Sequence, residues 1–350
     1  MKRMRLFVLL LAAVMVLVSL RQARLSRNVE VRERLSEYGL FAGNPAEQKP
    51  AEGVLPYQLN TPLFSDYAEK LRFVRLPAGE TVPYNADSVL AFPVGTVLVK
   101  TFYYPNDFRN PARGRRLLET RLLIHQEKGW KAYPYVWNDE QTDAVLEVAG
   151  EQKAVKWVDG RGKERQLTYT VPNLNQCKGC HVSGKMLLPL GLSVKQLNGP
   201  MNYADGEENQ LTRWSRLKWL QKLPDMREVP KLAVWNDPKS GSVAERARAW
   251  LDINCAHCHN PNGPARTSGL DLSLRQTDPT LLGINKTPVA AGRGSGGHQF
   301  DILPGNPDKS ILVYRLQSTD PGVMMPELGR KLVHEESIEL IREWISQLKP

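Results

Sequence analysis

Two pentads hold every cysteine of the chain, Cys177-Lys178-Gly179-Cys180-His181 and Cys255-Ala256-His257-Cys258-His259. A thiol pair two residues apart, followed at once by an imidazole, is the spacing of covalent c-type haem attachment. The two thiols add to the two vinyl groups of one haem, and the adjacent histidine lies under the iron. Two pentads predict two covalently bound haem c groups. Cys177, Cys180, Cys255 and Cys258 are then the attachment points, with His181 and His259 as proximal iron ligands. The competing chemistries for such pairs are a zinc ligand set and a redox dithiol. Both pairs run directly into histidine, which favours haem.

Each iron also needs a sixth ligand unless that position is kept open. For the second haem, Met325 is the expected ligand, in a loop before the closing helix, with Met324 as its rival. A thioether opposite histidine raises a haem's reduction potential. For the first haem the sequence leaves His125, Met186, Met201 and an open iron as alternatives. No other catalytic constellation stands out, and His257 is expected at a haem edge.

The elements that must position these residues are legible in outline. The expectation is an α+β multidomain chain. A β-rich, sandwich- or barrel-like domain spans 51–171 and leads into a first haem segment at 172–230. A linker at 231–241 precedes an all-α class I cytochrome c domain at 242–350. The strand signals are β-branched and aromatic runs at 96–104, 119–126, 130–137, 153–158 and 166–171. Asp159-Gly160-Arg161-Gly162 marks a hairpin between the last two. Trp130, Tyr133, Tyr135, Trp137 and Trp157 are expected in the core. Helices are expected at 211–222, at 243–253 behind an N-cap at Ser242, at 307–316 and at 335–348.

The N-terminus and the composition speak to compartment. A basic start, Met1 to Arg5, precedes an apolar run at 6–20, the pattern of a secretory leader. No clear small-x-small cleavage site follows, which leaves a cleaved signal and an uncleaved membrane tether both open. Residues 21–50 read as a charged spacer. The body is expected to be exported to the periplasm, where c-type haem is attached. All four cysteines are assigned to haem, so none remains for a lipid anchor or a disulfide. The 350 residues carry a formal net charge of +10, which suits an acidic redox partner or an anionic membrane face. The basic residues are dispersed and no nucleic-acid-binding motif accompanies them, so nucleic acid is not an expected partner.

Several short runs also look familiar together. Tyr133-Pro134-Tyr135-Val136-Trp137-Asn138 to Thr142 is one, and Val171-Pro172-Asn173 leading through Gln176 into the first pentad is another. Pro189-Leu190-Gly191, Gln196-Leu197-Asn198 and Asn209-Gln210-Leu211 follow. Near the end stand Leu303-Pro304-Gly305-Asn306-Pro307 to Leu312 and Met325-Pro326-Glu327-Leu328-Gly329. The whole resembles a family of proteobacterial dihaem c-type cytochromes across most of residues 50–350. The resemblance implies Met325 as an axial ligand and a parallel β-helix repeat protein as an associated partner. The expected function is electron transfer between periplasmic redox partners, by a carrier rather than an enzyme. Two other readings stay open: a dihaem peroxidase or oxidase with an open first haem, and a redox module tethered to a polysaccharide- or protein-binding β domain.

Overall fold

The structure is a computed structural model that describes residues 28–183 and 186–349, the side chains of Cys177, Lys178, Cys180, Val182 and Ser183 excepted. The leader at 1–20 lies outside the described residues. Among the described residues, no helix is long and apolar enough to cross a membrane.

The centre of the molecule is one antiparallel sheet. Its strands run Val54–Pro56, Glu69–Arg75, Val97–Pro105, Arg115–Gln126, Gly129–Trp137 and Ala144–Leu146, neighbours in that order. The Val97–Pro105 strand shows why it forms: side chains of successive residues alternate across the sheet, and both sides are covered. Val97 and Val99 enter a core with Leu35, Phe41, Leu122 and Trp137. Leu98 enters a second core, and Phe102 and Tyr104 a third. A second hairpin, Glu151–Val158 with Glu164–Val171, supplies Val155, Trp157 and Tyr169 to that third core. Its turn is set by Asp159, whose Oδ1 accepts the backbone N–H groups of Arg161 and Lys163 at 2.9 Å. Gly162 takes φ of 82° there, a conformation that favours glycine.

Two sequence expectations need correction. The sheet is open, with Val54–Pro56 and Ala144–Leu146 at its edges, so it is not a barrel. More seriously, residues 242–350 do not form an all-α class I cytochrome c domain. The chain is mainly antiparallel β, with six α-helices and 22% helix among the described residues. In the C-terminal third the α-helices are Val243–Asn254, Ile311–Gln317 and Glu335–Gln347. The stretch between the first two is loop broken by short 3-10 turns, because its many Gly and Pro residues do not sustain a ladder. The 307–316 helix is likewise split. Ser310 is fully buried, and its hydroxyl accepts the Leu303 N–H and donates to the Asn306 carbonyl, which breaks the helix from the Pro307–Lys309 turn. The 211–222 helix is really Gln210–Arg216, ended by Lys218 at φ of 63°.

The segments read as spacers are built in. Leu35, Tyr38, Leu40 and Phe41 belong to the first core, and the Tyr38 and Tyr135 hydroxyls are 2.8 Å apart. The segment after the first pentad packs Leu192, Leu197, Leu211 and Trp214 on the sheet's second core. The 231–241 stretch is tied by Thr61, which donates from Oγ1 to the Ala233 carbonyl at 2.7 Å. Residues 58–66 act as a strap joining all of these. Gln210 accepts the Gln58 N–H at 2.7 Å and donates to its carbonyl at 3.2 Å. Gln196 treats Thr61 the same way, at 2.9 and 3.0 Å. Asn254 accepts the Phe64 N–H at 2.9 Å. Each glutamine thus replaces a neighbouring strand for one residue of the strap, exposed Gln58 in one case and buried Thr61 in the other.

Gln196→Leu keeps the volume but leaves the Thr61 N–H and C=O buried and unpaired. We expect a loss of about 3 kcal/mol from urea denaturation, at about 1–3 kcal/mol for each unpaired group. A loss below about 1 kcal/mol would show that water replaces the amide.

Candidate functional site

The second pentad is presented by a well-specified helix. Ser242 caps Val243–Asn254, its Oγ accepting the Glu245 N–H while Glu245 Oε2 accepts the Ser242 N–H at 2.8 Å. Trp250, Leu251 and Ala247 bury against Ile338, Ile341 and Trp344 of the terminal helix. Each large apolar side chain so buried contributes about 1.5–3 kcal/mol. The helix runs out at Cys255. The His259 N–H then bonds the Cys255 carbonyl at 2.9 Å, and Asn260 Nδ2 donates to Ala256 O at 2.7 Å. Gly263 lies so close to the Cys258 carbonyl that no Cβ fits.

Both pentad histidines have one ring nitrogen engaged and the other free. His181 places Nδ1 2.9 Å from the Leu188 carbonyl, which can only accept, so Nδ1 carries the proton. His259 places Nδ1 3.0 Å from Ser268 Oγ, whose own hydrogen goes to the Ala265 carbonyl at 2.7 Å. Nδ1 is again the donor. In both rings Nε2 is left with its lone pair. Burial is the main cause that pulls each ring down to about 4, so both are neutral at physiological pH. Oriented by a second nitrogen and deprotonated at the first, this is the arrangement metal-binding histidine requires.

Cys255 is buried, and burial pushes its thiol up to about 12. The side chains of Cys177 and Cys180 lie outside the described residues; their backbone belongs to the Leu174–His181 helix. The chemistry of the donor set, thiols at this spacing beside a neutral histidine, fits covalent haem; of the two pentad histidines assigned as ligands, His181 lines the adjoining cavity and His259 does not.

That cavity, of about 330 Å³, is where the chain's three parts meet. The sheet contributes Lys100, Phe102 and Arg121; the first pentad His181; the second His257; and the methionine loop both Met324 and Met325. Leu328 of that loop sits against Gly179, close enough that a Cβ there would be 3.2 Å from it. The loop therefore touches the first pentad and backs onto the second.

Of the sixth-ligand alternatives for the first haem, none of the three lines this cavity. His125 stacks on Trp130 at 4.5 Å and bonds the Phe92 carbonyl through Nδ1, on the sheet's second core. Met186 is exposed, and Met201 sits in the Pro200–Tyr203 strand of a separate hairpin. His334 does reach the cavity, stacked on Phe64 at 4.1 Å. Its Nδ1 accepts from Trp250 Nε1, an atom that can only donate, so its proton is on Nε2 and it is not poised as a ligand.

Sequence reading missed the residues that hold the methionine loop. The Arg330 side chain is buried and donates to five carbonyls, those of Met325, Leu332, Arg315, Leu316 and Ser318. Asp66, at the end of the strap, accepts the N–H groups of Lys331 and Leu332 at 2.6 and 2.7 Å. The only sequence signal was a basic residue just after a Met-Pro turn.

No protein-family model matches the chain, and no curated protein or solved structure matches it either.

Two outcomes are expected. Arg330→Gln leaves several carbonyls without their donor; it should cost about 3 kcal/mol or more and speed amide exchange across 323–332, and an unchanged exchange map would refute the assignment. Burial lifts the Asp66 carboxyl above its usual range, against the pull of the two N–H groups. A raised acid stabilises the fold below the ordinary carboxylate range and loses that contribution as pH rises through its folded value. Asp66→Asn keeps an acceptor oxygen and should flatten this slope in denaturation measured from about pH 3 to 7.

Proposed function

We propose that this chain is an exported dihaem c-type cytochrome that carries electrons between redox partners in the periplasm. The observation that carries the reading is the state of the two pentad histidines. Each gives its Nδ1 proton to an oxygen acceptor and keeps Nε2 free, beside a thiol pair at haem spacing. The family resemblance of the motifs points the same way.

When bound, haem supplies a one-electron couple at its iron, and the protein's part is to hold it, tune it and dock partners. Cys177 and Cys180 would anchor the first haem with His181 as ligand; Cys255 and Cys258 would anchor the second with His259. The Leu188 carbonyl and Ser268 hydroxyl fix the ring orientations. Met325, its backbone held by Arg315 and Arg330, would supply a thioether to the second haem, as the resemblance implies. The net charge of +10 suits an acidic partner protein or an anionic membrane face. The β-helix repeat protein implied by the resemblance is one partner to test, and a tether through residues 6–20 is another.

A second reading is favoured by one finding: His125, Met186 and Met201 all lie away from the cavity. An oxidase- or peroxidase-type enzyme would leave the first iron open in this way. A high-spin, five-coordinate signal with peroxide turnover would select it over the carrier.

For the main reading, a pyridine haemochrome assay on the purified exported chain should give two covalent haems, and any other count refutes it. Met325→Ala should lower the potential of one haem only, because the thioether favours the reduced iron. If both potentials stay put, the ligand is elsewhere.

A further inference from the structure

Tyr169 comes off the second hairpin and reaches the central sheet, where its hydroxyl donates to Glu119 Oε1 at 2.6 Å. That is the length of a charge-assisted bond from a hydroxyl to a carboxylate. Glu119 is fully buried, and Arg121 pairs with it, Nη2 donating to Oε1 at 2.6 Å and Nε to Oε2 at 2.7 Å. Tyr169 is buried too, and it lines the cavity together with Phe102 and Arg121. A phenol thus stands in the cavity wall with an ion-paired carboxylate bonded to its hydroxyl.

What a buried tyrosine can do depends on what takes its proton. A phenol that gives up an electron becomes a strong acid, and it is oxidised readily only where that proton can leave with the electron. A backbone carbonyl cannot take the proton, whereas a carboxylate within hydrogen-bond reach can. Among the described buried tyrosines, Tyr104 and Tyr135 donate to the carbonyls of Asp66 and Arg32, and the Tyr38 hydroxyl meets that of Tyr135. Tyr57 bonds no carboxylate, and Tyr169 alone of this group donates to one. Tyr67 donates to Glu336 at 2.9 Å, but in an exposed pair. Burial, with the Glu119 charge next, holds the Tyr169 phenol well above the usual tyrosine range, so its proton stays until an electron goes. The Tyr169 ring packs edge-on to Tyr104 at 6.5 Å between centroids, and Tyr104 lies 4.6 Å from Trp157. Rings packed in this way connect the cavity wall to the hairpin by short tunnelling distances, without being oxidised themselves.

We propose that Tyr169 is a redox-active tyrosine, oxidised by one electron as its phenol proton passes to Glu119 Oε1. The oxidant belongs to the class of strong one-electron acceptors, such as a metal centre oxidised by peroxide; an ordinary ferric haem is too weak to serve. The oxidant gains the electron, the phenol O–H bond breaks and an O–H bond forms on Glu119. The products are a neutral tyrosyl radical and a carboxylic acid that Arg121 still holds through Oε2. A one-electron donor restores the phenol as the proton returns. The pair would give an oxidising equivalent that arises in the cavity a defined resting place. The inference asks nothing of the pentad thiols.

The test uses the full chain in its oxidised state, with photogenerated tris-bipyridine ruthenium(III) as the oxidant and electron paramagnetic resonance as the readout. A tyrosyl radical should form, and its signal should be lost in Tyr169→Phe and kept in Tyr67→Phe. The radical should form more slowly in deuterium oxide than in water, because the proton moves with the electron. Glu119→Gln keeps an oxygen acceptor but cannot take the proton, so most of the signal should be lost there. A signal that survives in Tyr169→Phe and disappears in Tyr67→Phe overturns the inference and places the oxidised phenol at the surface. A wild-type radical that forms at the same rate in both solvents also overturns it, as does the absence of any radical, and neither result depends on a variant folding. None of these outcomes bears on the haem count, which the pyridine haemochrome assay reads separately.

Discussion

The cavity exists because one buried carboxylate and one buried guanidinium close the same seam. Asp66 binds the backbone just after Arg330, and Arg330 binds the backbone on both sides of it. Between them they tie the strap from the sheet to the loop that carries Met324 and Met325. Asp66 and Tyr67 both sit at positive φ, 52° and 63°, where a non-glycine residue is strained. The strain is held by contacts beyond the turn: Tyr104 donates from its hydroxyl to the Asp66 carbonyl, and Tyr67 donates to Glu336 at 2.9 Å. The sheet, the strap and the terminal helix are all needed to keep this corner. Without it the second wall of the cavity has nothing to stand on.

How far the sequence discloses this differs from part to part. The strands at 97–105, 115–126 and 129–137 announce themselves by composition, since β-branched and aromatic residues suit a pleated surface covered on both sides. The helices at 243–254 and 335–347 announce themselves by period and capping. The all-α reading of the C-terminal third failed because it took a few helices around an irregular Gly- and Pro-rich stretch for a whole helical domain, whereas that stretch holds only short 3-10 turns. The spacers misled for a different reason: charge was visible at 21–50, whereas the few apolar residues that dock, Leu35 and Phe41 among them, were outnumbered. The strap was beyond reach, because Gln196 and Gln210 meet Thr61 and Gln58 only through chain separations that no local pattern records.

Of the candidate site, the pentad residues were plain in the sequence and their surroundings were not. The pentads specify thiols and imidazoles by spacing alone. That His181 and His259 are oriented by Leu188 and Ser268 depends on loop closure after each pentad, which spacing does not give. Arg72, Lys100 and Arg121 stand in a row at paired positions of three neighbouring strands. Read singly, each is an ordinary strand lysine or arginine. Only the register makes them neighbours.

That row also weighs on how the fold is balanced. Phe102 has Lys70, Lys100 and Arg121 around its ring, at 6.0, 5.1 and 4.4 Å. Such contacts contribute about 0.5–1 kcal/mol each at accessible sites. Desolvating a single charge costs several kcal/mol, so the ring cannot offset the crowding. Burial and the neighbouring cations drive Lys100 well below the usual lysine range, and Lys70 falls to about 7, with burial again the main cause. A sheet can avoid such a conflict at no structural loss, because leucine or methionine would fill the same volume. The bidentate pair that Glu119 makes with Arg121, at 2.7 and 2.6 Å, answers one of these charges, and the crowding that is left falls on Lys100 and its strand neighbours.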